Sequence, residues 1–212
     1  MPLIFDKLTA AIVGSVVFLL LFGLQLRVQG GRIEDSLVYT AKKQTLSFAD
    51  MLERDFANIG YLSVPGDDVI IDLQSSSYDS TVVTDQFEFW GLGESGSRAK
   101  IRYTTVSTDS AWVQDRWVQS FQVERYEDAG FGWEMTGASS AMITEFRIQL
   151  LDLNNNIAVP ANARQVRVRI SNAVAVNPMT VMADHRSILA GRELKWGITL
   201  APKGLSMTGY QG

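Results

Sequence analysis

Residues Leu8 to Leu26 (LTAAIVGSVVFLLLFGLQL) run for 19 positions without a charge, bounded by Lys7 and Arg27. At about 1.5 Å per residue a helix of this length covers roughly 28 Å, close to the hydrocarbon thickness of a bilayer. Helices in globular cores rarely stay uncharged for so long. A cleaved secretory signal is the nearest rival, but the stretch exceeds the usual ~7–15-residue apolar region. Met1–Phe5 carries no charged side chain, and no A-x-A-like site follows Leu26. The expectation is a retained transmembrane anchor at the amino-terminal end of whatever else folds.

The 212 residues leave ample chain for a core besides that anchor. The mean hydropathy of +0.04 conceals an uneven distribution, because much of the apolar excess sits in the anchor. Absence of cysteine excludes disulfide scaffolds, thiol catalysis and cysteine metal sites. One histidine, His185, cannot build a histidine metal cluster. A net charge of −4 gives no global attraction to nucleic acid.

Gly30–Gly31 is a candidate kink. Beyond it Ile33, Leu37, Ala41, Phe48, Leu52, Phe56 and Ile59 recur at helical spacing among charged residues. That pattern predicts an amphipathic helix with one buried stripe, stopped at Gly60 and closed by Pro65–Gly66. From Val69 the period changes. Val69–Leu73, Gln86–Trp90, Lys100–Val106, Val118–Tyr126, Met142–Leu151, Gln165–Ile170 and Lys195–Leu200 read as strands. Gly91–Ser97, Asp128–Gly132 and Asp152–Asn156 carry turn chemistry. Ser75–Thr81 and Asn177–Ala190 read as loops, and Gly204–Gly212 as a loose tail. The fold class is therefore α+β: a long amino-terminal helix packed on a mostly antiparallel sheet. The divisions are an anchor over 1–30, an amphipathic continuation over 31–62 and a β-rich head over 63–212.

No chemistry-bearing constellation emerges. Asp152, Asn154 and Asn156 have the spacing that opens a calcium loop, but the glycine and closing glutamate are missing, so a hairpin turn is expected. Asp67, Asp68, Asp72 and Asp79 read as solvated loop carboxylates. Gly91, Gly93 and Gly96 match G-x-G-x-x-G without the following helix a phosphate would need. His185, with Asp184 and Ser187 nearby, has no nucleophile elbow to serve. Trp90, Trp112, Trp117, Phe131 and Trp133 are expected to pack in the core and on the sheet face, the alternative being an exposed partner-binding patch. The expectation is no enzyme, cofactor or metal site, and no nucleic-acid partner.

Several stretches are similar to one family. Leu52–Glu53–Arg54–Asp55–Phe56 through Gly60–Tyr61 resembles the end of the long helix in minor pilins and pseudopilins of type IV pilus and type II secretion machinery. Ala99–Tyr103 resembles a strand ending in tyrosine, Ile143–Asp152 with Asn154–Asn156 a late strand and turn, and Ala163–Ile170 the strand that follows. The order of parts is nearest to the larger, J-type or W-type minor subunits. The resemblance implies a structural subunit, minor or tip, of a pilus-like filament or secretion pseudopilus. Its partners would be other pilin-like subunits, and it would rest in the inner membrane before assembly. With Met1 trimmed ahead of Pro2, Asp6 stands fifth, where the family keeps a glutamate implied to neutralise a neighbour's amino terminus. Gly14, Ser15 and Gly23 would permit close helix approach during assembly. Counting Lys7 against Arg27, Arg32, Lys42 and Lys43 puts the head in the cytoplasm. The resemblance instead implies a cytoplasmic amino terminus and a head outside, in a periplasmic or extracellular filament. The alternative is a single-pass envelope protein whose β domain binds a ligand or partner.

Overall fold

The computed structural model describes residues 2–64, 66–78, 81–113, 116–140, 142–174 and 192–207. Helix α1 spans Pro2–Ala57, 56 residues and therefore about 84 Å. Gly30 and Gly31 pass inside it without ending the helix, so the apolar run and the amphipathic stretch are one continuous element. A helix held by bonded neighbours on both sides tolerates two glycines at a cost of about 1 kcal/mol each. Beyond Ala57 the chain turns. Gly60 adopts φ +76° and donates its N–H to the Trp90 carbonyl at 2.7 Å.

Eight strands follow: β1 (Ile70–Tyr78), β2 (Thr81–Leu92), β3 (Arg98–Val113), β4 (Arg116–Asp128), β5 (Glu134–Ala138), β6 (Ile143–Leu151), β7 (Gln165–Val174) and β8 (Arg192–Leu200). A short helix, α2 (Lys203–Met207), closes the described chain. The order is β1-β2-β3-β4-β6-β7-β8, antiparallel throughout, with β5 added to β4. A single pair, Phe121 with Ile143, joins β4 to β6, so the sheet splits into two halves there. The halves are tied across the core by the Ile148 N–H, which donates to Thr84 Oγ1 at 2.9 Å.

Two expectations need correcting, and one strand comes in addition. Ser75–Tyr78 and Thr81 are strand rather than loop, since β1 runs to Tyr78 and β2 starts at Thr81, with 79–80 outside the described residues. The serines and threonine have fair strand propensity once each has a paired partner. β5, too short and too glycine-bearing to show a period, went unread. Gly204–Met207 is not a tail, because α2 docks with Leu205 buried and Gly204 against the end of α1.

One face of the sheet meets α1. Phe48, Leu52, Phe56 and Ile59 enter a core with Phe87, Phe89, Ile101, Tyr103, Val123, Phe146, Ile148, Val166, Val168 and Ile170. Phe56 packs edge-on to Phe87, Phe89 and Tyr103 at ring distances of 5.6–5.7 Å. The stripe buries its residues only from Thr45 onward; Ile33 is exposed, and Leu37 and Ala41 are half-buried. The turns β2–β3, β4–β5 and β6–β7, together with α2, gather at the end of the head where α1 stops.

Candidate functional site

Two features of α1 stand out, one at each end. Residues 7–29 are all exposed, Leu8, Ile12, Val13, Val16, Val17, Phe18 and Leu19–Phe22 among them. A helix apolar on every side is at home only in lipid or among other helices. Leaving its large side chains in water would forgo about 1.5–3 kcal/mol apiece. This one helix is long and apolar enough to cross a membrane.

The small residues expected to mediate assembly lie on this bare segment. A Cβ on Gly14 or Gly23 would meet nothing within 4 Å, so both are open to a neighbour. Ser15 satisfies its hydroxyl internally by donating to the Ala11 carbonyl at 2.8 Å. At about 100° per residue, Gly14 and Gly23 point to opposite sides and Ser15 between them. They do not form one stripe. Asp6 belongs to α1, and its side chain lies outside what is described.

At the other end α1 is locked to the head by a buried polar cluster. Asp55 sits on the core face between Leu52 and Phe56 and is fully buried. Its Oδ2 accepts from Arg125 Nε at 2.5 Å and from the Tyr103 hydroxyl at 2.7 Å, while its Oδ1 accepts from Arg54 Nε at 3.2 Å. Arg125 Nη1 donates to Thr136 Oγ1 on β5 and to Glu127 Oε2 at 3.3 Å. Glu127 in turn accepts from the Glu94 N–H at 3.0 and 3.1 Å. Gly93 makes that last contact possible, since a Cβ there would fall 2.3 Å from Glu127 Oε1.

The electrostatics follow from this enclosure. Burial, then the Asp55 charge and hydrogen bond, push the Tyr103 phenol well above its usual range. Burial works against the Arg125 cation, yet Asp55, Tyr103 and Glu127 outweigh it and hold the guanidinium charged. The cluster joins α1 to β3, β4 and β5 through buried side chains, and so fixes where the helix meets the sheet. A one-residue slip of α1 would move Asp55 off Arg125 and leave that buried cation without its helix partner, a penalty of several kcal/mol. The sequence carried a signal for this cluster. Phe121, Val123 and Arg125 alternate, so Arg125 has inward parity on an otherwise apolar strand face.

The other candidates resolve into structure. Asp152 Oδ1 accepts the Asn154 and Asn156 N–H groups at 2.7 and 2.9 Å, an Asx-type turn with Asn155 at φ 63°. Those amides and the Asn156 side chain lower the Asp152 carboxyl, as the Gly130 and Gly132 amides lower that of Asp128. The Gly91–Gly96 motif forms the β2–β3 turn, Gly93 N–H donating to the Ser97 carbonyl at 2.8 Å. Asp67 pairs with Arg98 at 2.9 Å, and Asp72 accepts from Gln74 and Gln86. Asp79 and His185 lie outside the described residues.

The buried aromatic core is made of phenylalanines and Tyr103, with Trp196 packed at its edge. Trp90 has outward parity between Phe89 and Gly91 and lies under Arg98 and Lys100, at 4.5 and 5.4 Å. Trp133 stacks on Arg102 at 3.8 Å. Trp117 and Phe131 are exposed, and the Trp112 side chain is outside the description. Among the described residues no cluster of acidic or histidine side chains is arranged to hold a metal ion. Comparison with protein-family models, curated proteins and solved structures finds no match for the chain.

Proposed function

We propose that the chain is a structural subunit, minor or tip, of a type IV pilus-like filament or secretion pseudopilus, held in the inner membrane before assembly. One observation carries the reading: a single unbroken helix is bare and apolar on every side over its first half and locked into a β head over its second. Such a rod exchanges lipid contacts for neighbouring helices without refolding. In lipid that exchange is driven by close packing rather than by hydrophobic transfer, which favours small residues at the contacts. Gly14, Ser15 and Gly23 point different ways, which suits neighbours on several sides better than a single paired helix. The amino terminus lies in the cytoplasm and the head outside. Asp6 at the edge of the apolar run neutralises the amino terminus of an adjacent subunit.

The chain's lack of cysteine makes a direct test simple. Phe131→Cys, at a fully exposed tip residue, reacts with an impermeant thiol reagent on intact cells if the head lies outside. Val17→Cys forms subunit-to-subunit cross-links in assembled filaments and none when the assembly machinery is disabled. A protein that stays an uncross-linked membrane monomer in both settings is instead a single-pass protein with a partner-binding head.

A further inference from the structure

The outer face of β6–β8 carries three arginines and Lys195 against the carboxylate of Glu145, which accepts from the Ser171 hydroxyl. Val166, Val168 and Ile170 of β7 turn into the core, which sends Arg167 and Arg169 outward. Register sets Arg169 directly opposite Arg147 on β6 and Gly197 on β8. Among the described residues none of the three forms an ion pair; Arg167 Nε donates to Thr199 Oγ1 at 3.2 Å. The half-sheet beside it behaves differently, since outward-facing Arg102 is held by Glu88 at 2.7 Å. Two like charges facing each other across strands are destabilising. The pair persists in a chain whose acidic residues outnumber its basic ones, 23 to 19.

The opposite side of the molecule offers two carboxylates, flanked by Lys43 and by Arg54, which is engaged with Asp55. Phe48, Leu52 and Phe56 point into the core, so Asp50 and Glu53 stand on the far side of α1, both exposed. Neither has an ion-pair partner among the described residues. Three positions apart on a helix, their Cβ atoms are separated by about 5–6 Å. Directly opposed strand residues such as Arg147 and Arg169 are separated by about 4.5–5.5 Å. The two pairs also stand at a similar height, because Phe48 beside Asp50 packs on Phe146 beside Arg147 at a ring distance of 6.4 Å. The patches face away from each other and cannot meet within one molecule. Between copies they can, and a contact of two different patches repeats into an open array or ring rather than closing as a two-fold pair.

We infer that Arg147 and Arg169 of one head bind Asp50 and Glu53 on α1 of a second copy, with Arg167 flanking the contact. Guanidinium forks suit this, because each can grip a carboxylate through two N–H groups. The inference rests on the filament reading, in its form of a minor subunit present in adjacent copies rather than a lone tip subunit, and it specifies the contact between one head and the next copy's α1.

The test uses the full-length protein carrying Ser47→Cys, one turn from Asp50, together with Thr199→Cys, beside Arg167. A short thiol-to-thiol reagent applied to native membranes or filaments yields a ladder of covalent oligomers with both cysteines and none beyond dimers with either alone. Arg147→Glu with Arg169→Glu lowers the ladder at least tenfold, and Asp50→Arg with Glu53→Arg on that background restores it. Arg147→Glu alone leaves the Tm at or above the parent value, since it relieves a like-charge pair, which separates lost docking from lost folding. Filaments that contain the protein but give no ladder overturn this contact and leave the filament reading intact. A charge-sensitive ladder without filaments keeps the contact and removes that reading. A ladder indifferent to charge reversal, or Thr199→Cys linking solely to a different protein, overturns the assignment to a second copy.

Discussion

At the residue scale the decisive group is Arg125. It is fully buried, and its charge is matched by Asp55 on the helix and Glu127 on its own strand. Removing one partner of such a pair leaves an uncompensated buried charge. Arg125→Met is therefore expected to destabilise the protein by about 3–5 kcal/mol, whereas Arg125→Met with Asp55→Leu recovers much of the loss. Urea unfolding of the detergent-solubilised protein measures both, and equal losses in single and double variants would refute the pairing. Tyr103 gives a pH test. Its folded pKa is raised above the unfolded value, so its stabilisation is fully present below about pH 10 and falls away as pH rises through the folded value. Tyr103→Phe is expected to lose about 1.5–3 kcal/mol at neutral pH, the worth of a hydrogen bond to a charged group. It should also show a shallower loss of stability in alkali than the parent. An alkaline limb of unchanged steepness would place the ionising group elsewhere. Asp55 and Arg125 were readable in principle, one by its place between Leu52 and Phe56, the other by strand parity. What hides them is that a charged residue on a helix or strand usually faces solvent, and only the partner across the core marks the exception.

At the element scale, elements with a clean period were legible. Gln165–Ile170 alternates as its burial does, and Phe48, Leu52, Phe56 and Ile59 form the buried helix stripe. The elements missed were those formed by tertiary partners. β5 exists because β4 offers it an edge below the split from β6, and Gly137 brings it within reach of Met51 on α1. α2 exists because two glycines let its backbone touch the end of α1. A Cβ on Gly204 would lie 2.3 Å from the Ile59 carbonyl oxygen and 2.5 Å from Gly60 Cα, all backbone atoms that cannot swing aside. Gly204→Ala is accordingly expected to undock α2 and cost about 1–3 kcal/mol. The measurement is limited proteolysis, in which cleavage near Lys203 quickens while the rest of the head stays resistant. Unchanged cleavage would mean that α2 docks with slack. The same logic accounts for Gly60, whose φ of +76° suits a residue without a side chain at the helix exit.

At the scale of the whole molecule the sequence divides into a lipid-like rod and a β head, and the structure joins them through one continuous helix. A continuous α1 means that the head's core and ion pairs set the direction in which the bare segment leaves it. Changes in the bare segment should therefore separate assembly from folding. Leu20→Arg is expected to leave the urea midpoint of the head unchanged while disfavouring helix insertion by about 2.5–3.5 kcal/mol, which would deplete the membrane fraction. An altered midpoint in that variant would mean that the two halves fold as one unit. The most direct measurement of the central claim is fractionation of sheared surface filaments or overproduced pseudopili. The account predicts that the protein sediments with them, in a quantity that falls to background when the assembly machinery is disabled. Filaments that form fully while the protein stays behind in the membrane as a monomer would contradict it.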